Sequence, residues 1–332
     1  MTVTIGRREL LVALGGAAVA WPLAARAQEN KRPRRVGVLT TLAESDPEDQ
    51  LVLGTFRSRL AELGWIEGQT VEFIYRRTMG IPERAQVFAS ELAGLNPEVI
   101  LSVGGTATSA LVRANITVPT VFVSDTDPVA AGFVASMAHP GGNITGFSSF
   151  ERTLGPKWLQ ILKTIAPDIT RVVIVRSDNP YAKVTLPTIL AALPSLHLQA
   201  TDAIIRDAVS VEQAIATAAK MSGVGLIVLA STIGLVNRDA IIAGAATHRL
   251  PAVYTNSTFA RSGGLVSYGI DRVHQFQEAG GYIDRILHGE KPADLPVQTP
   301  SKFELVINMK TARLLGLDVD PTLLALADEV IE

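Results

Sequence analysis

The 332-residue chain contains no cysteine, which removes disulfides, thiolate nucleophiles and zinc–cysteine centres together. The absence is compatible with an oxidising compartment. An excess of one charge is also lacking. The formal net charge is -2, and no basic block lies beyond the first 35 residues, so the chain carries no electrostatic footprint for nucleic acid. Aromatic residues make up only 5% and charged residues 19%, against 47% hydrophobic, with a mean hydropathy of +0.27. That is the balance of an ordinary globular chain rich in small residues. The apolar run from Leu10 to Trp21 is too short to span a bilayer.

Reaction motifs are missing as well. No G-x-S-x-G nucleophile elbow occurs, nor a dinucleotide fingerprint, nor a P-loop. The five histidines are His139, His197, His248, His274 and His288, and no pair has the spacing of a helical zinc site. Asp125 and Asp271 are two carboxylates that acid–base chemistry could use, but nothing fixes a third group. The reading is therefore a polar cleft without a reaction centre, with no catalytic residue, no metal and no cofactor.

What is present begins at the N-terminus. Arg7 and Arg8 precede the apolar run, and Ala25-Arg26-Ala27 follows it. A charged region, a short hydrophobic region and an A-x-A site predict an export signal cut after Ala27. The paired arginines resemble a twin-arginine signal, with Gly6 where Ser or Thr is usual. Removing residues 1–27 leaves 27 basic and 31 acidic residues, net -4.

At this length two domains are expected. Apolar runs without strict alternation, such as Arg35 to Leu39 and Glu98 to Ser102, read as buried parallel strands. Each is followed by a helical pattern. The series repeats in the second half, from helix Gly155 to Ile165 and strand Arg171 to Val175 through helix Leu235 to His248 and strand Pro251 to Tyr254. Two consecutive βα series predict two doubly wound lobes. The chain is expected to leave the first lobe in the stretch from Pro119 to Gly146, where Asp127 reads as a helix cap with Pro128 at the first helical position. The lobes are then 34–124 plus about 257–299, and 125–256 plus about 300–332. Pro292 to Pro300 reads as an extended passage between them.

Strand ends of open parallel sheets are where small ligands bind. Here they carry Thr41, Gly105, Thr106, Asp125, Asn143, Asn179, Ser231, Tyr254, Tyr268 and Asp271. Gly104 and Gly105 permit close backbone approach, Thr106 is a candidate cap, and helix-end amides suit a carboxylate. A buried Asp suits an ammonium and tyrosine faces an apolar or aromatic side chain. The set fits a zwitterionic amino acid held between closing lobes.

The segments GGTATSALVRANITVPTVFVSDTDPVAAGFVASMAHPGGNITGFS, LVSYGIDR and KFELVINMKTARLLGL resemble the solute-binding proteins of ABC transporters, in the family described as tryptophan/tyrosine-type periplasmic binding proteins. The resemblance covers essentially the whole mature chain. It implies a type I periplasmic-binding fold with three crossover strands, no catalysis, a small-molecule solute, an ABC permease as partner and a monomeric state. Without cysteine no lipobox is possible, so it implies a freely diffusing periplasmic protein. The loop from Thr40 to Pro47, acidic through Glu44 and Asp46 and followed by Glu48 and Asp49, departs from common versions of the family and bears on the ligand type. Two other readings compete: an extracytoplasmic sensing module, and a secreted α/β enzyme.

Overall fold

The computed structural model describes residues 32–125 and 127–332. The expected export signal and Thr126 lie outside the described residues, as do the side chains of Ser124 and Asp125.

The first sheet is built from β1 (Arg34–Thr40), β2 (Val71–Arg77), β3 (Val99–Val103), β4 (Thr120–Asp125) and β5 (Ile144–Ser148). All are parallel, in the order β2-β1-β3-β4-β5. Helices α1 (Pro47–Glu62), α2 (Pro82–Gly94) and α3 (Gly105–Arg113) connect them. Because both faces are covered, the strands are apolar on both sides. Val36, Val38 and Val121 pack with Phe56 and Leu60 of α1. On the opposite face, Leu39 and Ile100 pack with Ala89 and Leu92 of α2 and Leu111 of α3.

The second sheet is larger. It contains β6 (Arg171–Arg176), β7 (Gln199–Ile204), β8 (Val224–Val228), β9 (Ala252–Tyr254), β10 (Val266–Ile270), β11 (Phe303–Asn308) and β12 (Glu329–Ile331). Their order is β12-β11-β10-β9-β8-β6-β7. Pairing is parallel except between β10 and β11. Its helices are α4 (Leu154–Ile165), α5 (Pro180–Ala192), α6 (Ala208–Ala219), α7 (Thr232–Val236), α8 (Arg238–Thr247) and α9 (Ser257–Arg261). Helix α10 (Arg272–Leu287) returns to the first sheet, and α11 (Met309–Leu315) and α12 (Pro321–Ala325) close the chain on the second. Phe276, Ala279 and Ile283 of α10 join the core around Phe56. Trp158 of α4 is fully buried in the second core.

Sheet membership moves the crossings from their expected places. β5 pairs with β4, so the chain leaves the first sheet after Ser148 and not at Ser124. β10 pairs with β9, so the return falls after Ile270 and not at Asn256. The third crossing lies between Gln298, whose N–H bonds Gly146 O, and Phe303. The expected boundary followed hydrophilic composition; the observed one follows strand pairing, which a loop of carboxylates and glycines does not reveal. Pro128 begins no helix. Asp127 instead accepts the Ala130 N–H at 2.9 Å within a turn. The single helix expected over Leu235 to His248 is two, broken at Asn237, whose side chain donates to Ile233 O at 2.9 Å.

Candidate ligand-binding cleft

Between the two sheets lies a cleft of about 500 Å³. Its walls are the carboxyl ends of strands from both lobes: Thr40 at the end of β1 and Thr41 after it, Gly104 after β3, Ser177 after β6, Ala230 after β8 and Thr255 after β9. This is where the crossover geometry of parallel sheets leaves a crevice.

Thr41, Gly105, Thr106, Asn179 and Ser231 all line it, as the sequence suggests. Their local roles are visible. Thr41 Oγ1 donates to Val103 O at 3.4 Å. Asn179 and Ser231 are helix caps, accepting the N–H groups of Ala182 at 2.7 Å and Gly234 at 2.9 Å. Thr106 is not a cap. The cap position of α3 is Gly104, with φ 85° and no side-chain cap hydrogen bond, so the first amides of α3 stand at the cleft wall.

Four expected residues lie elsewhere. Asn143 sits at the opposite end of β5, where its amide donates to Ile116 O and Val118 O, both at 2.9 Å. Tyr254 is 1% exposed and stacked on Phe259 at 4.9 Å between centroids, its hydroxyl pushed up by burial. Tyr268, in the middle of β10, lies against Phe303. Asp271 caps α10, accepting the His274 N–H at 2.9 Å, beside a small recess shared with Pro300 and Lys302. Asp125 ends β4, but its side chain lies outside the described residues.

Sequence reasoning missed the polar floor and the apolar wall. Gln275 of α10 is 5% exposed and donates from Nε2 to Ser148 O at 2.8 Å. Its Oε1, and the hydroxyl of Thr255, are buried without a hydrogen-bond partner among the described residues, and both residues line the cleft. Phe133, Tyr181 and Phe259 supply aromatic surface. A helical Gln carries no signal of its own; only the return of α10 to the first sheet brings it to the cleft.

Asp46, Glu48 and Asp49 of the acidic segment are engaged within the protein. Asp49 accepts from Thr40 Oγ1 at 3.0 Å and pairs with Arg77 at 3.1 Å, and burial raises its carboxyl above the ordinary range against both partners. Glu48 pairs with Arg272 at 2.6 Å. Asp46 pairs with Arg238 at 2.7 Å. These three carboxylates serve the protein's own groups.

Two doubly wound lobes joined by three crossings, with a cleft of polar groups and apolar faces at the facing strand ends, have the architecture of a receptor for a small molecule. The chain belongs to the ABC transporter substrate binding protein family, which matches residues 35–331. It is 23% identical over 291 residues to a tyrosine-binding protein of Clostridioides difficile strain R20291, covering 87% of this chain and 83% of that one. A conserved domain protein of Vibrio cholerae superposes with a TM-score of 0.83 at 25% identity, over 90% of this chain and 100% of its own. An ABC domain from Streptococcus pneumonia in complex with L-Trp gives 0.82 at 22% identity, again over 90% and 100%. A ligand-free, open substrate binding protein of Clostridium difficile gives 0.66 at 20% identity, over 90% and 99%. The family is one of substrate-binding proteins and not of enzymes. Membership implies a small-molecule solute and an ABC permease partner, with action outside the cytoplasm.

Proposed function

We propose that this protein captures an amino-acid-like or aromatic solute in the cleft by hinge closure, as a monomer in the periplasm, and delivers it to the permease. The observation that carries the reading is the composition of the cleft. The uncapped N-terminus of α3, through Gly105 and Thr106, suits the ligand carboxylate. The unpartnered Gln275 Oε1 and Thr255 hydroxyl suit its ammonium. Phe133, Tyr181 and Phe259 suit an apolar side chain. A relative named for tyrosine and another bound to L-Trp support the same class. Export by the signal in residues 1–27, through the twin-arginine route, belongs to this reading.

The test is a thermal-shift panel of amino acids, aromatic acids, short peptides, nucleosides and sugars, with calorimetry on hits. A ligand at a hundred times its Kd stabilises the native state by about 2.7 kcal/mol. Saturable stabilisation by L-Trp, L-Tyr or another amino acid is the expected outcome. Stabilisation by a sugar or nucleoside alone, or by nothing in the panel, overturns it.

A further inference from the structure

We propose that Asp46 and Arg238, backed by the bond between Glu48 and Thr258, form a latch across the cleft mouth that populates the closed form without ligand. The idea concerns closure and does not depend on the solute's identity.

Asp46 belongs to the first lobe and Arg238 to the second. The carboxylate is used on both oxygens. Oδ1 caps its own helix by accepting the Glu48 N–H at 2.9 Å, and Oδ2 accepts from Arg238 Nη1 at 2.7 Å. The guanidinium is steadied from its own side by Leu235 O at 3.4 Å. Arg238 and Asp46 side chains are 12% and 14% exposed. An exposed pair contributes little and is screened by salt, whereas one so desolvated is screened far less and leaves a buried charge when one partner goes.

Two further contacts link the lobes. Glu48, 3% exposed, is held by Arg272 of the first lobe and accepts the hydroxyl of Thr258 in the second. Gly80, in the loop after β2, lies so close to α7 that a Cβ there would come within 2.8 Å of Thr232 Cγ2. The backbone of one lobe thus rests on the first turn of a helix in the other. The latch flanks the cleft: Leu42 and Asp49 line it on either side of Asp46, and Leu235 just before Arg238.

Every group in these contacts is the protein's own. A ligand shifts an equilibrium only by its differential affinity for the two forms. Contacts that exist only when the lobes meet favour closure with or without it.

The cysteine-free chain permits a direct measurement. Val87→Cys on α2 and Val209→Cys on α6, exposed at 56% and 61%, place one spin label on each lobe. Pulsed electron paramagnetic resonance on the exhaustively dialysed protein then reads the distance distribution. Short and long populations are expected together. Asp46→Asn, which keeps the helix cap, and Arg238→Gln should each lower the short-to-long ratio about tenfold, with no further loss in the double variant. Arg285→Gln, which breaks a pair with Glu290 inside the first lobe, should leave the ratio unchanged. A single long distance in the wild type, an unchanged ratio in both latch variants, or an equal shift in Arg285→Gln overturns the latch. Adding L-Trp separates the two proposals. Failure of L-Trp and every other amino acid to bind refutes the amino-acid reading and leaves the distance result standing.

Discussion

Replacing Gly269 with alanine tests how the crossing supports the cleft. Gly269 lies in β10, one residue before the strand ends, and the neighbouring strand β9 delivers Thr255 to the cleft wall. A Cβ at position 269 would fall 2.2 Å from Thr255 O and 2.9 Å from Thr255 C. Ordinary contact begins at 3.4 Å, at least 1.2 Å beyond that shorter distance. The obstructing atoms are backbone, so no side-chain rotation relieves the clash; the segment 255–256 must shift by a comparable amount. Overpacking of this kind costs about 1–3 kcal/mol. The shift also carries Thr255 and the Asn256 cap of α9 away from their places. Urea denaturation followed by far-UV circular dichroism should show a lower midpoint, and calorimetry with the identified solute a weaker affinity. Gly281→Ala is the matched control. It lies within α10 with nothing within 4 Å of the added Cβ, where alanine stabilises a helix by about 0.5–1 kcal/mol. Equal midpoints for Gly269→Ala and wild type, or an equal fall in Gly281→Ala, would refute the steric argument.

Two more outcomes follow from the site. Asp271→Ala should lower stability by about 1 kcal/mol through loss of the α10 cap, and Asp271→Asn should not; calorimetry should find solute affinity unchanged in both, and a large loss in the Asn variant would restore a ligand role. Asp49 gives a pH signature. Its folded carboxyl lies above the ordinary value of 3.8, burial outweighing the opposing pull of Thr40 and Arg77. A raised carboxyl binds its proton more tightly in the folded state, so its contribution is present below 3.8 and lost as pH rises through the folded value. Denaturation midpoints of wild type minus Asp49→Asn should therefore fall with rising pH across that window; a rising or flat difference contradicts the assignment.

The segments that resemble the family prove to be architectural as much as functional. In LVSYGIDR, Ser267 is fully buried, the Tyr268 carbonyl accepts from the Trp158 indole at 2.7 Å, Gly269 admits Thr255 and Asp271 caps α10. In HPGGNITG, Asn143 fastens two carbonyls of the loop before β4, and Thr145 donates to Leu295 O at 2.5 Å. Unusual residue types at strand ends point equally to a ligand and to a fastening. Only the tertiary structure separates the two.

By itself the sequence determined the two βα series, because buried parallel strands need unbroken apolar runs and helices a 3.6-residue period, both local patterns. It also marked Thr41, Gly105, Thr106, Asn179 and Ser231, since a hydroxyl, amide or glycine directly after such a strand stands at the crevice wherever the sheet goes. Tertiary structure alone decided the rest. Strand pairing set the crossings at Ser148 and Ile270, α10 brought Gln275 from far along the chain to the cleft, and Asp46 met Arg238 across 192 positions. Those partners are joined through space by hydrogen bonds and charge, and neither leaves a periodicity in the residues between.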